Sequence, residues 1–176
     1  MIRVFSLLIN VKAGGATLTI RRNPPLRFFT VIYFSMEPLT VPGTLDSLRA
    51  IAQYVLAAAA AAGLDKKATY NLRQGVDEIA TNIIIHGYKE AGLEGVLELR
   101  SEMDDRTLTI CIEDTAVPYD PYQTERVEQE ELKLPLEQRK MGGLGVYLAI
   151  EGIDKFTYER VENRNRNIFV MNRLSA

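Results

Sequence analysis

The sequence predicts an α+β fold: a two-layer sandwich with helices on one face of a mostly antiparallel sheet. Three observations carry that expectation. Between residues 45 and 91, apolar residues recur at helical spacing in two consecutive segments. Residues 95–113 alternate apolar and polar side chains around an Asp104-Asp105 turn, as a hairpin with one covered face does. After a long charged connection, a short helical segment leads into another pair of strand-like runs.

In order, an apolar segment over residues 39–41 is closed by the Pro42-Gly43 turn. Thr44 is placed to cap an alanine-rich helix over 45–62, which Gly63 ends. Asp65 opens a second helix with Leu72, Val76, Ile79 and Ile83 on one face. Either Gly87 ends this helix or it runs on to Ala91 before Gly92. Residues 95–102 and 107–113 form the hairpin. Residues 115–141 mix Glu125, Glu128, Glu130 and Glu131 with Arg126, Lys133, Arg139 and Lys140. A connection of this length is either a solvated charged stretch or a functional lid. A helix over 145–152 follows, then strands over 154–162 and 168–174 joined by a polar loop, Asn163-Arg164-Asn165-Arg166-Asn167. Residues 36–176 read as one domain.

Residues 1–35 read as an N-terminal extension that admits three interpretations: a signal peptide, a stretch upstream of a natural start at Met36, or a hairpin pairing residues 4–11 with 28–34.

The 176 residues are enough for one domain with a real core, and 47% are hydrophobic, as in ordinary globular chains. The net charge of −2 offers no basic face, which argues against nucleic acid as a direct partner. The longest apolar runs fall far short of the ~20 residues of a membrane span. A single cysteine, Cys111, fits a reducing, cytoplasmic setting and reads as a small buried core residue. A single histidine, His86, rules out a metal site built of several histidines.

The chemistry concentrates in three short stretches. Glu78 and Asn82 stand four residues apart, one above the other on a helix. A carboxylate there can take a proton, and a carboxamide oxygen suits magnesium already surrounded by phosphate oxygens. An exposed polar pair on a solvated face has the same spacing. Asp114 stands where a strand runs into a turn; its acceptor-only carboxylate can receive the adenine amino group and would repel the guanine carbonyl. An ordinary turn aspartate looks the same. Gly142, Gly143 and Gly145 surround Leu144 at the start of a predicted helix, where backbone can approach phosphates closely. No lysine and Ser/Thr follow, so this is not a P-loop.

Taken in order, Glu78-Ile79-Ala80-Thr81-Asn82, His86-Gly87-Tyr88, Asp114 and the glycine cluster resemble the ATP-binding fold of the histidine kinase-like (GHKL, Bergerat) superfamily. Within it, the Glu-x-x-x-Asn followed by His-Gly-Tyr is most similar to the bacterial anti-sigma-factor serine/threonine kinases. The resemblance covers residues 39–173. It implies that Glu78 is the catalytic base, that Asn82 binds magnesium and reaches the phosphates, and that Asp114 reads adenine. It implies further that Gly142, Gly143, Leu144 and Gly145 cradle the triphosphate beneath a lid ending at Met141. Arg139 and Lys140, just before the glycines, are candidates for phosphate contacts by position and charge alone.

One position departs from the family's Asp-x-Gly pattern: Ala116 stands where glycine would line the nucleotide site. Its methyl group and narrower backbone freedom put nucleotide affinity or turn geometry in doubt. His86 reads as a structural side chain that bonds locally, or as a neighbour of the nucleotide. The resemblance implies ATP and Mg2+ as cofactors and serine phosphorylation of an anti-sigma-factor antagonist. It implies a sigma factor or other regulated protein as second partner, and a homodimer. A nucleotide-binding interaction module without phosphoryl transfer is the alternative.

Overall fold

The computed structural model describes residues 10–13, 16–21, 31–118, 121 and 145–173. Strands β1 (Asn10–Ala13), β2 (Ala16–Arg21), β3 (Val31–Met36) and β4 (Leu39–Pro42) precede the helices. A 3-10 turn (Leu45–Ser47) leads into α1 (Leu48–Ala62). Helix α2 (Lys66–Asn82) continues directly into a π-helical stretch (Ile83–Lys89). The hairpin β5 (Val96–Met103) and β6 (Thr107–Asp114) follows, then α3 (Gly145–Glu151), β7 (Lys155–Val161) and β8 (Arg164–Asn172). The strands form one antiparallel sheet in the order β1-β2-β3-β5-β6-β8-β7, with β4 also paired to β5. Helices pack on one side of it, as the sequence predicts. No helix among the described residues is long and apolar enough to cross a membrane.

Local chemistry fixes most boundaries. Gly63 takes a left-handed conformation, φ 71°, and its N–H closes α1 onto Ala59 and Ala60. The Asp65 carboxylate accepts from the Ala68 N–H at 2.7 Å and so starts α2. Thr44 is extended but makes no side-chain cap; the first turn of the expected helix is 3-10 instead, and the Ser47 hydroxyl donates to the Pro42 carbonyl. In the β5–β6 turn, Asp104 Oδ1 accepts from Arg106 N, Thr107 N and the Thr107 hydroxyl.

The core lies between the sheet's inner face and α2, which packs between α1 and α3. Leu72, Val76 and Ile79 of α2 meet Leu97, Leu99, Leu108, Ile110 and Ile112 of the hairpin, all fully buried. Each contributes about 1.5–3 kcal/mol by leaving water. Gly87 does not end the second helix. Its last turns widen, which brings Ile83, Ile84, Gly87 and Tyr88 to the buried side together. Cys111 corrects the expectation of a core residue: it is half-buried, and burial pushes its thiol up to about 11.

Two pairings differ from the sequence reading. The expected loop over 163–167 is strand. The β7–β8 turn shrinks to Glu162 and Asn163, with Glu162 at φ 55°, and β8 begins at Arg164. The N-terminal pairing also differs: β2 pairs with β1 and with β3, and residues 4–9 lie outside the described residues. Strand β3 touches the rest of the sheet in two register pairs only, Phe34 with Met103 and Ser35 with Glu102. A chain beginning at Met36 should therefore fold and bind ATP. Circular dichroism and nucleotide titration check this, and an unfolded or nucleotide-blind product would place residues 1–35 within the folding unit.

Candidate functional site

The described residues singled out in the sequence lie along one helix, with Gly145 of α3 against Glu78 and Ala116, just after β6, against Gly87. Asp114 is buried at the last position of β6. Its Oδ1 accepts from the Ala116 N–H at 2.9 Å and from Asn165 Nδ2 at 2.7 Å. Its Oδ2 is buried and has no hydrogen-bond partner among the described residues. Burial raises the Asp114 pKa, against the opposing pull of Asn165, Ala116 and the charges of Arg160 and Arg164. An orphaned buried acceptor is costly unless a donor arrives. The amino group of adenine is such a donor.

Asn165 is the residue that sequence reasoning missed, having been placed in a loop. In the sheet it lies directly opposite Asp114. Its Nδ2 donates to Asp114 and to the Ala116 carbonyl, and its Oδ1 accepts from the Tyr158 hydroxyl and Arg160. Every polar group of that carboxamide is occupied, so the aspartate is held in one orientation. The signal was present: Asn163-Arg164-Asn165-Arg166-Asn167 alternates with period two, as a strand with a polar inner face does. On the opposite face, Arg164 and Arg166 flank the buried Glu113 carboxylate at 3.3 and 3.1 Å, which pins the β6–β8 register beside Asp114.

Tyr88 holds the turn that follows. Its hydroxyl donates to the Val96 carbonyl at 3.0 Å and accepts from the Thr115 N–H at 3.1 Å. Its buried ring lies where a side chain on Gly43 or Gly95 would have to go. The His-Gly-Tyr motif thus works partly through the glycine's neighbour, by fixing the backbone after Asp114.

The Ala116 departure is accommodated. Glu162 is the one non-glycine residue with positive φ among those described, so Ala116 pays no backbone penalty. Its methyl is buried against Gly87, where a second Cβ would approach to 2.8 Å. Alanine at 116 therefore depends on glycine at 87.

Glu78 and Asn82 stand on the same flank of α2, both half-buried. A Cβ at Gly145 would run into the Glu78 carboxylate, so the first residue of α3 is fitted to that group. From Glu78 to Gly87 is about nine residues of helix, roughly 13 Å. Asn82 lies between the two contacts along the helix, that of Glu78 with Gly145 and that of Gly87 with Ala116. Gly142, Gly143, Leu144, the lid and its Arg139 and Lys140 lie outside the described residues. His86 is on the surface, with Nδ1 2.8 Å from Glu90 one turn on, in keeping with a local bonding role. Among the described residues no group of three His, Cys, Asp or Glu is placed to hold a metal.

Asp114 yields a paired prediction. Its folded pKa is raised, so its contribution to stability is greatest below the unfolded value and is lost as pH rises through the folded one. At pH 7 the ionised group costs stability. Asp114→Asn should raise the thermal midpoint at neutral pH, by a margin that shrinks as pH falls into the ordinary carboxylate range. The same variant should bind ATP about 10- to 150-fold more weakly, the loss of a charge-assisted bond of about 1.5–3 kcal/mol. Thermal melts at two pH values and an ATP titration check both; a lower midpoint at neutral pH would show the carboxylate already satisfied.

No curated protein matches the chain. The family model described as the histidine kinase-like ATPase domain matches residues 41–172, from β4 to the end of β8, which spans the whole site. With that match and this sandwich, the chain belongs to the histidine kinase-like ATPase family, and the membership implies ATP binding.

Proposed function

We propose that the chain is an ATP- and magnesium-dependent serine protein kinase, acting as an anti-sigma regulatory factor in a partner-switching module. The observation that carries this reading is the placement of Glu78. It is a carboxylate one helical turn from Asn82, lying against Gly145, the first residue of α3.

Bound Mg-ATP supplies a transferable γ-phosphoryl group. The chain's own residues supply position and charge. Asp114 Oδ2 accepts the adenine amino group, with Asn165 and Tyr88 fixing the carboxylate and the turn. The Asn82 carboxamide oxygen would hold Mg2+, which would neutralise phosphate charge there. Gly142, Gly143, Leu144 and Gly145 let the backbone approach the phosphates. Glu78 accepts the proton of a serine hydroxyl as the serine Oγ–phosphorus bond forms and the bond to ADP breaks. Positioning and electrostatics do most of the work in such a transfer.

By resemblance the acceptor is a serine on an anti-sigma-factor antagonist, the second partner is a sigma factor or another regulated protein, and the working unit is a homodimer. The test is incubation with labelled ATP and a purified antagonist, read as phosphoserine by mass spectrometry. Tight ATP binding with no transfer to any antagonist would replace the kinase with a nucleotide-binding interaction module.

A further inference from the structure

The buried side chains along the inner face of β8 are Asn165, Asn167, Phe169 and Met171. The carboxamides stand at the end of the strand that runs beside the last residues of β6. Across the ladder Asn165 faces Asp114 and Asn167 faces Ile112. Asn165 is accounted for, since every polar group it carries is bonded. Asn167 is not. It is 2% exposed, and its Oδ1 is buried with no hydrogen-bond partner among the described residues. An aliphatic side chain would suit a position beside Ile112 and Phe169 better, and an unpaired buried oxygen is a standing cost to the fold.

Asp114 carries the same signature on the neighbouring strand, because its Oδ2 is buried and unpartnered. Among the described residues, these two are the orphaned side-chain oxygens of the sheet. Asp114 and Asn167 are diagonal neighbours across the β6–β8 ladder, a relation that sets Cα atoms about 7–8 Å apart on one face.

We propose that Asn167 is a second reader of the adenine amino group, which donates one hydrogen to Asp114 Oδ2 and the other to Asn167 Oδ1. This rests on the reading of Asp114 Oδ2 as the adenine acceptor. An exocyclic amino group points its two N–H bonds about 120° apart, so at ordinary hydrogen-bond lengths its two acceptors stand about 5 Å from each other. Side chains on diagonal positions of one sheet face suit that separation. A ring nitrogen or a phosphate oxygen brings no hydrogen and satisfies neither oxygen. Both oxygens are closed to solvent alike, so a base that reaches Asp114 Oδ2 is already beside Asn167.

The test uses the full chain with Mg2+. ATP and purine riboside 5′-triphosphate, which lacks the 6-amino group, are titrated calorimetrically into the parent, Asn167→Leu and Asp114→Asn. Leucine matches asparagine in size and removes both polar atoms. The expected result is ATP binding about tenfold weaker in Asn167→Leu, with purine riboside triphosphate within about twofold of the parent. Without nucleotide, the thermal midpoint of Asn167→Leu should equal or exceed the parent's, because an apolar side chain replaces an unpaired oxygen. Parental ATP affinity in Asn167→Leu beside a loss in Asp114→Asn would overturn the second contact and leave Asp114 standing. A loss in Asn167→Leu with none in Asp114→Asn would overturn the shared amino group. No loss in either variant, or a parent that binds neither nucleotide, would remove both readings. Equal losses for the two nucleotides, or a lower midpoint without nucleotide, would show that Asn167 shapes the fold and does not read the base. Should Asn167→Leu lose the parental circular dichroism, Asn167→Ala, which adds no bulk, carries the same comparison.

Discussion

Glu78→Gln is expected to keep Mg-ATP affinity within a few-fold of the parent while serine phosphorylation falls by ~10²–10⁴, the usual contribution of a positioned acid or base. Glutamine keeps the size and polarity of the side chain that meets Gly145, so the start of α3 need not move. It cannot take a proton. Asn82→Ala should behave differently and lower both affinity and transfer, because the metal and the phosphates lose their anchor. The measurement pairs nucleotide titration with phosphorylation of a purified antagonist for both variants. Transfer by Glu78→Gln at the parental rate would strip Glu78 of its role as base.

The largest effect on stability is expected at Tyr88. Tyr88→Ala removes a fully buried ring and the hydroxyl that serves Val96 and Thr115. Truncating a buried aromatic costs about 3–5 kcal/mol, against total stabilities of about 5–15 kcal/mol for domains of this kind. The variant should be largely unfolded or strongly shifted in a urea titration. Tyr88→Phe is the more informative partner. It keeps the ring between Gly43 and Gly95 and deletes only the hydroxyl, leaving the Thr115 N–H unpaired at a cost of about 1–3 kcal/mol. Because Thr115 follows Asp114 directly, Tyr88→Phe should weaken ATP binding while the chain stays folded. A folded Tyr88→Phe with parental ATP affinity would show that the turn holds its shape without the tyrosine.

The apolar patterning made the architecture legible. The Leu72, Val76, Ile79 and Ile83 stripe lies in the core, and the alternation of Leu108, Ile110 and Ile112 puts them on the inner face of β6. Glycine and aspartate fixed the ends of α1 and α2, because a left-handed C-cap and an Asp N-cap are local events readable from a few residues. What escaped was non-local. Asn165 looked like loop chemistry because asparagine is a poor strand former; pairing with β6 and the bonds to Asp114 override that preference. The π-helical end of α2, Ile83–Lys89, escaped because Ile83-Ile84-Ile85 reads as a continuous apolar run that does not distinguish an α-turn from a wider one. The Ala116 departure looked like a defect in isolation. Its partner, Gly87, lies about thirty residues away in sequence, and only the packed turn shows that the two are fitted to each other.

Calorimetric titration of ATP and GTP into the parent chain and Asp114→Asn is the most direct test that this is an adenine-nucleotide site read by one buried carboxylate. The prediction is that the parent binds ATP at least about tenfold more tightly than GTP, since guanine presents a carbonyl to an acceptor that has no proton to give. Asp114→Asn should lose most of that preference. Equal affinity of the parent for the two nucleotides, or ATP binding unaffected by the substitution, would contradict it.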